Sequence, residues 1–190
     1  MKLTHHIHAR TLRIAAASLA IAAAPLAYAQ SASGTINAQL INVGGIAIVF
    51  DQNAAGVPLQ GNGTSNATLN LGNISAYGPL SAGVTRTSVT AANFTVRSVF
   101  DVQVNAGGLV FSNSYSLTAN LAAAAPAGMT YSIDGIPMTT AAQTVQTGAA
   151  YATDIPHNLD LKVSTASPSA GGPTPNTQIS TVINFTATAN

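Results

Sequence analysis

The chain has 190 residues, of which six are Lys or Arg and five are Asp, and its formal net charge is +1. Charged residues make up 6% of the chain, against about one quarter of an ordinary soluble domain. This scarcity excludes basic nucleic-acid-binding domains, acidic tails and charged coiled coils. A hydrophobic content of 47% argues against disorder, and the absence of Cys excludes disulfides, cysteine zinc sites and a thiol nucleophile.

The N-terminus has the pattern of an export signal. Lys2, Arg10 and Arg13 give it a positive start, and an apolar run follows at residues 14–24 before Pro25. A helix of this length is too short to cross a bilayer core of roughly 30 Å. The pattern therefore predicts a signal peptide, with an uncleaved membrane anchor as the alternative.

Small residues mark the expected cleavage site. Ala27 and Ala29 flank Tyr28 in the small-x-small pattern that signal peptidase requires, so Gln30 is the predicted first residue after cleavage. Residues 30–190 then form a single predicted domain with three cationic and five acidic side chains, a formal charge of −2. We expect a protein exported by a Gram-negative bacterium to the periplasm, cell surface or medium, without a membrane span after cleavage.

Apolar and polar residues alternate with a period of two along residues 30–190, which is typical of strands with one buried face. One face of the clearest predicted strand, residues 94–104, is apolar: Phe94, Val96, Phe100, Val102 and Val104. Its other face carries Thr95, Arg97, Asp101 and Gln103. The same alternation predicts strands at residues 115–121, 159–163 and 179–188.

Turn signals separate these strands. Asp134-Gly135 predicts a two-residue hairpin, because both positions of such a turn need positive φ. Pro137 lacks an amide donor, so the returning strand is predicted to be short or at an edge. Residues 122–127 contain Pro126 and are predicted to form a loop or a single turn. About eight to ten short strands predict an all-β fold, a sandwich or partly closed barrel, with an immunoglobulin-like Greek-key sandwich favoured.

His157 is the only histidine after the signal, and Asp154 and Asp160 lie three residues to either side. This spacing could indicate a metal cluster or part of a catalytic triad. However, positions three apart on a strand point to opposite faces, so one segment would not bring all three together. The favoured interpretation is a turn that leads into a strand, with His157 at its start.

Residues 51–56 begin like a calcium loop of the D-x-N-x-x-G kind. Ala55 stands where an oxygen ligand is expected, and Asn62 takes the twelfth position in place of Glu. A plain Gly/Asn loop is therefore favoured, and no cofactor or metal is predicted.

The remaining charged residues do not suggest an active site. Asp101 and Arg97 share a strand face and are expected to form an ion pair, and Asp134 is assigned to its turn. Glu is absent, so no carboxylate pair suited to glycosidase chemistry stands out. Arg86, Arg97 and Lys162 do not form a basic patch, which argues against nucleic acid and anionic membranes. Tyr77 and Tyr151 are the candidates for exposed, sugar-stacking aromatics.

The layout resembles that of bacterial pilin or fimbrial subunits and, more loosely, of secreted sandwich proteins related to spore coat protein U. A signal peptide precedes an alternating segment at residues 35–43, a Thr/Asn/Gly/Ala-rich domain of pilin size and a terminal strand at residues 180–190. The layout spans nearly all of residues 30–190 but contains no specific motif. The disulfide of many pilins is missing, and Ala189 stands where a penultimate Tyr is often found.

The resemblance implies polymerisation by strand addition, with copies of the same chain as partners and a periplasmic chaperone and usher as helpers. Residues 33–43 are the candidate strand, in which Ile36, Ala38 and Leu40 would face a neighbour's groove. The alternative is that this segment is the first strand of its own sandwich, because alternation does not distinguish the two.

Three functions follow as hypotheses. The first is a non-enzymatic structural subunit of a fibre, coat or matrix, supported by the scarcity of charges that could protect exposed strand edges. The second is a monomeric module that binds a polysaccharide or a surface partner. The third is an enzyme that uses His157 with an Asp.

Overall fold

The computed structural model describes residues 31–34, 45–166, 168–173 and 178–190. The signal-peptide residues, with Ala27, Ala29 and Gln30, lie outside this part of the chain. So do Ile36, Ala38 and Leu40 of the candidate strand.

The described residues form strands with irregular connections, and no α-helix is present among them. The strands are β1 (Ser31–Gly34), β2 (Ile46–Asp51), β3 (Leu59–Gln60), β4 (Thr68–Leu69), β5 (Thr85–Val89), β6 (Asn93–Ala106), β7 (Ser114–Leu121), β8 (Met129–Ile133), β9 (Ile136–Pro137), β10 (Gln143–Ala150), β11 (Ile155–Ser164) and β12 (Ile183–Ala189). One 3₁₀ turn spans Pro168–Ala170. The all-β class predicted from the sequence is confirmed.

Two antiparallel sheets carry most of the strands. Sheet A has the order β1-β12-β7-β10. Sheet B has the order β2-β6-β11-β8-β9, and β5 pairs with β6 as well. A third, two-stranded sheet joins β3 to β4. The arrangement is consistent with a β-sandwich.

The long strand β6 organises sheet B. Its second half, Asp101 to Ala106, pairs with β2, and its first half, around Phe94 to Arg97, pairs with β5. The segment at Gly56 and Val57 covers the gap between β2 and β5, where the Val57 amide donates to Ser98 Oγ at 3.0 Å. A Cβ on Gly56 would lie 1.8 Å from the Val99 carbonyl oxygen, so this close approach requires glycine.

The two sheets share one apolar core. Buried residues alternate with partly exposed ones along β6, β7 and β11, as their sequences predicted. Phe185 of β12 packs edge-on against Phe50 of β2, with ring centroids 5.2 Å apart, and lies 5.9 Å from Phe100 of β6. These aromatic contacts join the sheets near the middle of the core.

Some element boundaries differ from expectation. The last strand begins at Ile183, and the predicted start at Ile179 is wrong, because the preceding residues are irregular. The predicted Asp134-Gly135 hairpin is confirmed, with φ of 51° and 81° at the two residues. Pro137 ends a two-residue strand at the edge of sheet B, as predicted.

Strand directions define two ends of the molecule. We define an upper and a lower pole. At the upper pole, β6 ends and both β7 and β11 begin. At the lower pole, β6 and β8 begin and β11 ends. Pairing of Ala150 with Ser114, and of Ala189 with Tyr115, places the ends of β10 and β12 at the upper pole. Pairing of Val163 with both Phe94 and Met129 marks the lower pole.

Candidate functional site: an uncharged sheet, an apolar groove and an exposed loop

Charge is divided unevenly between the two sheets. The four strands of sheet A carry no Asp, Glu, Lys or Arg. Sheet B, its turns and its flanking residues carry all the charged side chains of the described region: Asp51, Arg86, Arg97, Asp101, Asp134, Asp154, Asp160 and Lys162. One side of the protein is therefore polar without being charged.

Hydroxyl groups form a row across the outer face of sheet A. Thr186 of β12 and Thr144 of β10 both pair with Thr118 of β7. The Thr118 hydroxyl donates to the Thr186 carbonyl at 3.4 Å. Neighbouring strands lie about 4.8 Å apart, so the three side chains follow one another at about that spacing.

The sheet edges differ in how they are protected. In sheet B, β5 carries Arg86, β2 ends at Asp51 and β9 is short and contains Pro137, all features that discourage edge pairing. In sheet A, the edge strand β10 is eight residues long and uncharged. Its protection comes from register irregularities against β7, between Thr144 and Gln146 and between Gln146 and Ala149.

A large groove opens between the sheets toward the lower pole, with a volume of about 1290 Å³. Apolar side chains of both sheets line its interior: Phe50, Phe94, Phe100, Met129, Leu161 and Phe185. Partly exposed apolar residues of the irregular segments form its mouth, among them Leu71, Ile74 and Ile179. Asn, Gln, Ser and Thr side chains supply the rest of the lining, and none of the lining residues within the described ranges is charged.

The loop at residues 107–113, between β6 and β7, presents apolar side chains to solvent at the upper pole; we call it the apolar loop. Phe111 is 93% exposed and Leu109 is 65% exposed, while Val110 between them packs against the core. Burying a side chain such as Phe stabilises a protein by roughly 1.5–3 kcal/mol. The isolated chain gains little of that contribution from either exposed residue.

His157 lies inside the sandwich on the inner face of β11 and is 1% exposed. Its Nδ1–H donates to Asp134 Oδ2 at 2.6 Å, and its ring centroid lies 5.9 Å from that of Phe100. The second ring nitrogen, Nε2, is buried without a hydrogen-bond partner among the described residues. A substrate in solution cannot reach this nitrogen in the conformation seen.

The expected separation of His157 from its flanking carboxylates is confirmed. Asp160 points to the outer face of sheet B, and Asp154 Oδ1 accepts a hydrogen bond from Gln103 Nε2 at 2.8 Å. The sequence predicted only a turn role for Asp134, but Asp134 is the carboxylate that forms a hydrogen bond with His157. Pairing of β8 with β11 brings them together, and the sequence carries no signal of strand order.

Burial acts to raise the pKa of Asp134, but hydrogen bonds outweigh it and hold the pKa below its ordinary value of 3.8. The Asn158 amide donates to Asp134 Oδ1 at 2.8 Å, and the His157 ring adds a hydrogen bond and a favourable charge interaction. The carboxylate therefore stays ionised, which suits a fixed structural partner of His157.

The predicted Arg97–Asp101 ion pair is wrong. Arg97 instead makes a two-pronged contact with Asp160 of β11, at 2.7 Å from Nε to Oδ1 and 2.8 Å from Nη2 to Oδ2. Four residues along a strand span about 13 Å, whereas Arg97 and Asp160 lie directly opposite each other. Hydrogen bonding to Asp160 raises the pKa of Arg97, and Asp101 accepts from Asn53 Nδ2 at 2.7 Å.

Oxygens of the segment that resembles a calcium loop accept hydrogen bonds from the protein. Asn62 Oδ1 accepts from the Gln52 amide at 2.6 Å, and Asn53 Oδ1 accepts from the Ala55 amide at 2.9 Å. Within the described ranges, no three His, Asp or Glu side chains lie close enough together to hold a metal ion.

The two candidate surface tyrosines differ. Tyr77 is 78% exposed, as its turn-like sequence suggested. Tyr151 packs beside Tyr115, with ring centroids 5.4 Å apart, and its hydroxyl is buried.

A scan against protein-family models and searches of curated proteins and solved structures found no significant match to this chain. Within the part of the chain that the structure covers, no helix has the length and apolar character to cross a membrane.

Proposed function

We propose that this chain is an exported, non-enzymatic structural subunit that associates with copies of itself. The assembly would be a surface fibre, pilus, coat or biofilm matrix, built from an immunoglobulin-like Greek-key sandwich. The observation that carries the proposal is the absence of charged side chains from all four strands of sheet A.

The distribution of charge supports self-association. Sheets of monomeric proteins commonly protect their edges with Lys, Pro, inward charges or bulges. Sheet B has such residues at its edges, whereas sheet A relies on the irregular register of β10. Two uncharged sheets can approach each other without like-charge repulsion and without stripping water from ions.

Strand addition is the proposed route, as the resemblance to pilins implies. Of the candidate strand at residues 33–43, Ser33 and Gly34 pair with β12 of their own sheet. Residues 35–43 of one copy would add to a sheet of the next, with Ile36, Ala38 and Leu40 facing its core. A periplasmic chaperone and usher would deliver the subunits. The alternative, in which this segment completes its own sandwich, predicts assembly that does not depend on residues 35–43.

The first test is assembly of the exported protein. Light scattering after gel filtration and negative-stain microscopy should show oligomers or fibres that grow with concentration. Replacement of Ile36, Ala38 and Leu40 by Ser, which leaves β1 in place, should abolish fibres if strand addition uses this segment. A wild-type protein that remains strictly monomeric at every concentration would contradict the proposal.

The second test places a charge on each sheet in turn. Thr147→Lys, at an exposed position of the uncharged edge strand β10, should weaken association, because the ammonium would have to lose water in the contact. Thr87→Lys is the matched control, since Thr87 is exposed on β5 of the already charged sheet B. Equal association of the two variants would argue against a contact through sheet A.

A second candidate function is a monomeric module that binds a neutral polysaccharide. The exposed ring of Tyr77 could stack on a sugar, and the row of Thr186, Thr118 and Thr144 offers hydroxyl groups. In a polysaccharide co-sedimentation assay, Tyr77→Ala should lower retention, while the variant Thr87→Lys should not.

A further inference from the structure

We propose that copies of this chain join head to tail, with the apolar loop of one copy inserted into the groove of the next. The inference rests on the proposed self-association and names two surfaces for it. It is distinct from strand addition by residues 33–43, because the described residues that form the two surfaces do not belong to that segment.

The apolar loop is built as a protruding ligand. The Gly107 amide donates to the Gly45 carbonyl at 2.9 Å, and the Val110 amide donates to the Gly107 carbonyl at 3.0 Å. At the other end of the loop, Ser112 Oγ donates to the Ser114 carbonyl at 2.6 Å. The loop is thus held at both ends while Leu109 and Phe111 project outward, so little ordering is needed on binding.

The groove offers a matching environment. Its innermost lining is aromatic and belongs to the core, and its mouth contains Leu71 and Ile74 beside polar residues such as Asn70 and Asn73. None of the lining residues that the structure describes is charged. The loop residues 107–113 are also uncharged. Insertion would bury two exposed apolar side chains without dehydrating any ion. Side chains that fill a desolvated pocket in this way commonly supply most of the binding energy.

The size of the groove favours a loop as its occupant over a small molecule. Its volume is about 1290 Å³, above the range of about 300–1,000 Å³ typical of small-molecule pockets. The backbone and side chains of a loop need more room than a single ligand. The chain itself supplies a loop of the required chemistry.

The two surfaces lie at opposite ends of the molecule. The apolar loop follows Ala106 at the upper pole, whereas Phe94, Met129 and Val163 mark the lower pole, toward which the groove opens. A copy therefore cannot fill its own groove with its own loop. A contact between unlike surfaces leaves one free loop and one free groove after each addition, so it continues into an open filament unless a ring closes.

Two variants test the surfaces separately. The loop variant combines Leu109→Ser with Phe111→Ser, and the groove variant is Leu71→Lys. Each should raise the dissociation constant for self-association, measured by sedimentation velocity, by about 30-fold or more, the effect of losing a hot-spot residue. Tyr77→Ser is the control for loss of an exposed aromatic ring and should associate like the wild type, because Tyr77 does not line the groove.

Mixing the two variants gives the decisive measurement. The loop variant keeps an intact groove and the groove variant keeps an intact loop, so one contact between them survives. Each variant alone should associate at least about 30-fold more weakly than the wild type, whereas the mixture should form one-to-one dimers through the surviving loop–groove contact with the wild-type dissociation constant. If Leu71→Lys does not fold, as judged by circular dichroism, Ile74→Lys at the same mouth replaces it.

The remaining outcomes separate this inference from the proposed function. Loop and groove variants that assemble like the wild type would overturn the head-to-tail contact and leave self-association standing. A mixture without dimers would also overturn it, because contacts between identical surfaces are not rescued by mixing. A wild-type protein that is monomeric at every concentration would overturn both proposals.

Discussion

Among individual residues, the buried polar groups fall into two classes. Asp160, Ser98 and Tyr131 have hydrogen-bond partners, whereas the hydroxyls of Tyr115 and Tyr151 are buried without a partner among the described residues. Burial raises the pKa of Tyr115, and the charge interaction with the neighbouring Tyr151 raises it further. The Tyr115 hydroxyl therefore stays neutral. A buried polar atom without a partner costs roughly 1–3 kcal/mol.

Tyr115→Phe is therefore expected to leave the free energy of unfolding unchanged or to raise it by about 1 kcal/mol, because the ring is kept and an unpaired hydroxyl is removed. Tyr131→Phe is the matched control. The Tyr131 hydroxyl accepts from Thr181 Oγ1 at 2.8 Å, and its loss should destabilise by about 0.5–1.5 kcal/mol. Urea denaturation of both variants checks the difference; a larger loss from Tyr115→Phe would show that its hydroxyl has a partner.

The ionised Asp134 makes stability depend on acid pH. Its pKa is lower in the folded state than its ordinary value of 3.8. The contribution of ionised Asp134 to the free energy of unfolding is therefore fully present above the unfolded-state pKa. That contribution is lost as the pH falls through the folded-state pKa. Asp134→Asn keeps the turn but removes this titration.

Between about pH 7 and about pH 3, the wild type should lose more unfolding free energy than the variant Asp134→Asn. Denaturant titrations at a series of pH values measure this difference. Thr130→Asn, at an exposed position on the adjacent strand β8, should retain the wild-type slope. Equal slopes for the wild type and Asp134→Asn would show that the His157 contact does not favour the ionised form.

At the level of the elements, alternation in the sequence predicted which residues of β6, β7 and β11 are buried. It could not predict which strands are neighbours. The predicted partner of Arg97, Asp101, lies on the same strand, whereas its actual partner Asp160 lies opposite on β11 and is much closer. The contact between His157 and Asp134 likewise depends on the pairing of β8 with β11. The groove and the exposed apolar loop were also missed, because both arise from the packing of segments far apart in sequence.

Gly56 lies in the segment that covers the gap in sheet B between β2 and β5. Among the described glycines, its Cβ position makes the closest approach to another backbone atom. Gly56→Ala should destabilise the protein by about 1–3 kcal/mol, because the new Cβ would collide with the Val99 carbonyl oxygen. Gly108→Ala is the control, since a Cβ there meets no atom within 4 Å. Thermal unfolding of both variants gives the comparison, and equal midpoints would mean that the segment moves away at no cost.

At the scale of the whole molecule, the proposed contacts are uncharged. Charge–charge attraction is screened over about 10 Å in 0.1 M salt and about 3 Å in 1 M salt. The dissociation constant for self-association should therefore stay constant or fall slightly as NaCl rises from about 0.1 M to about 1 M. Analytical ultracentrifugation measures it, and dissociation at high salt would implicate the charged residues of sheet B instead.

The confinement of charge to sheet B gives the protein two chemically different sides. Filaments that run from pole to pole would inherit them, with a neutral, hydroxyl-covered side and a charged side along their length. Two such filaments could lie with their neutral sides together, and the ribbon would then present charge on both outer surfaces. Further layers would have to bring charged surfaces into contact. Lateral bundling would therefore stop at a pair.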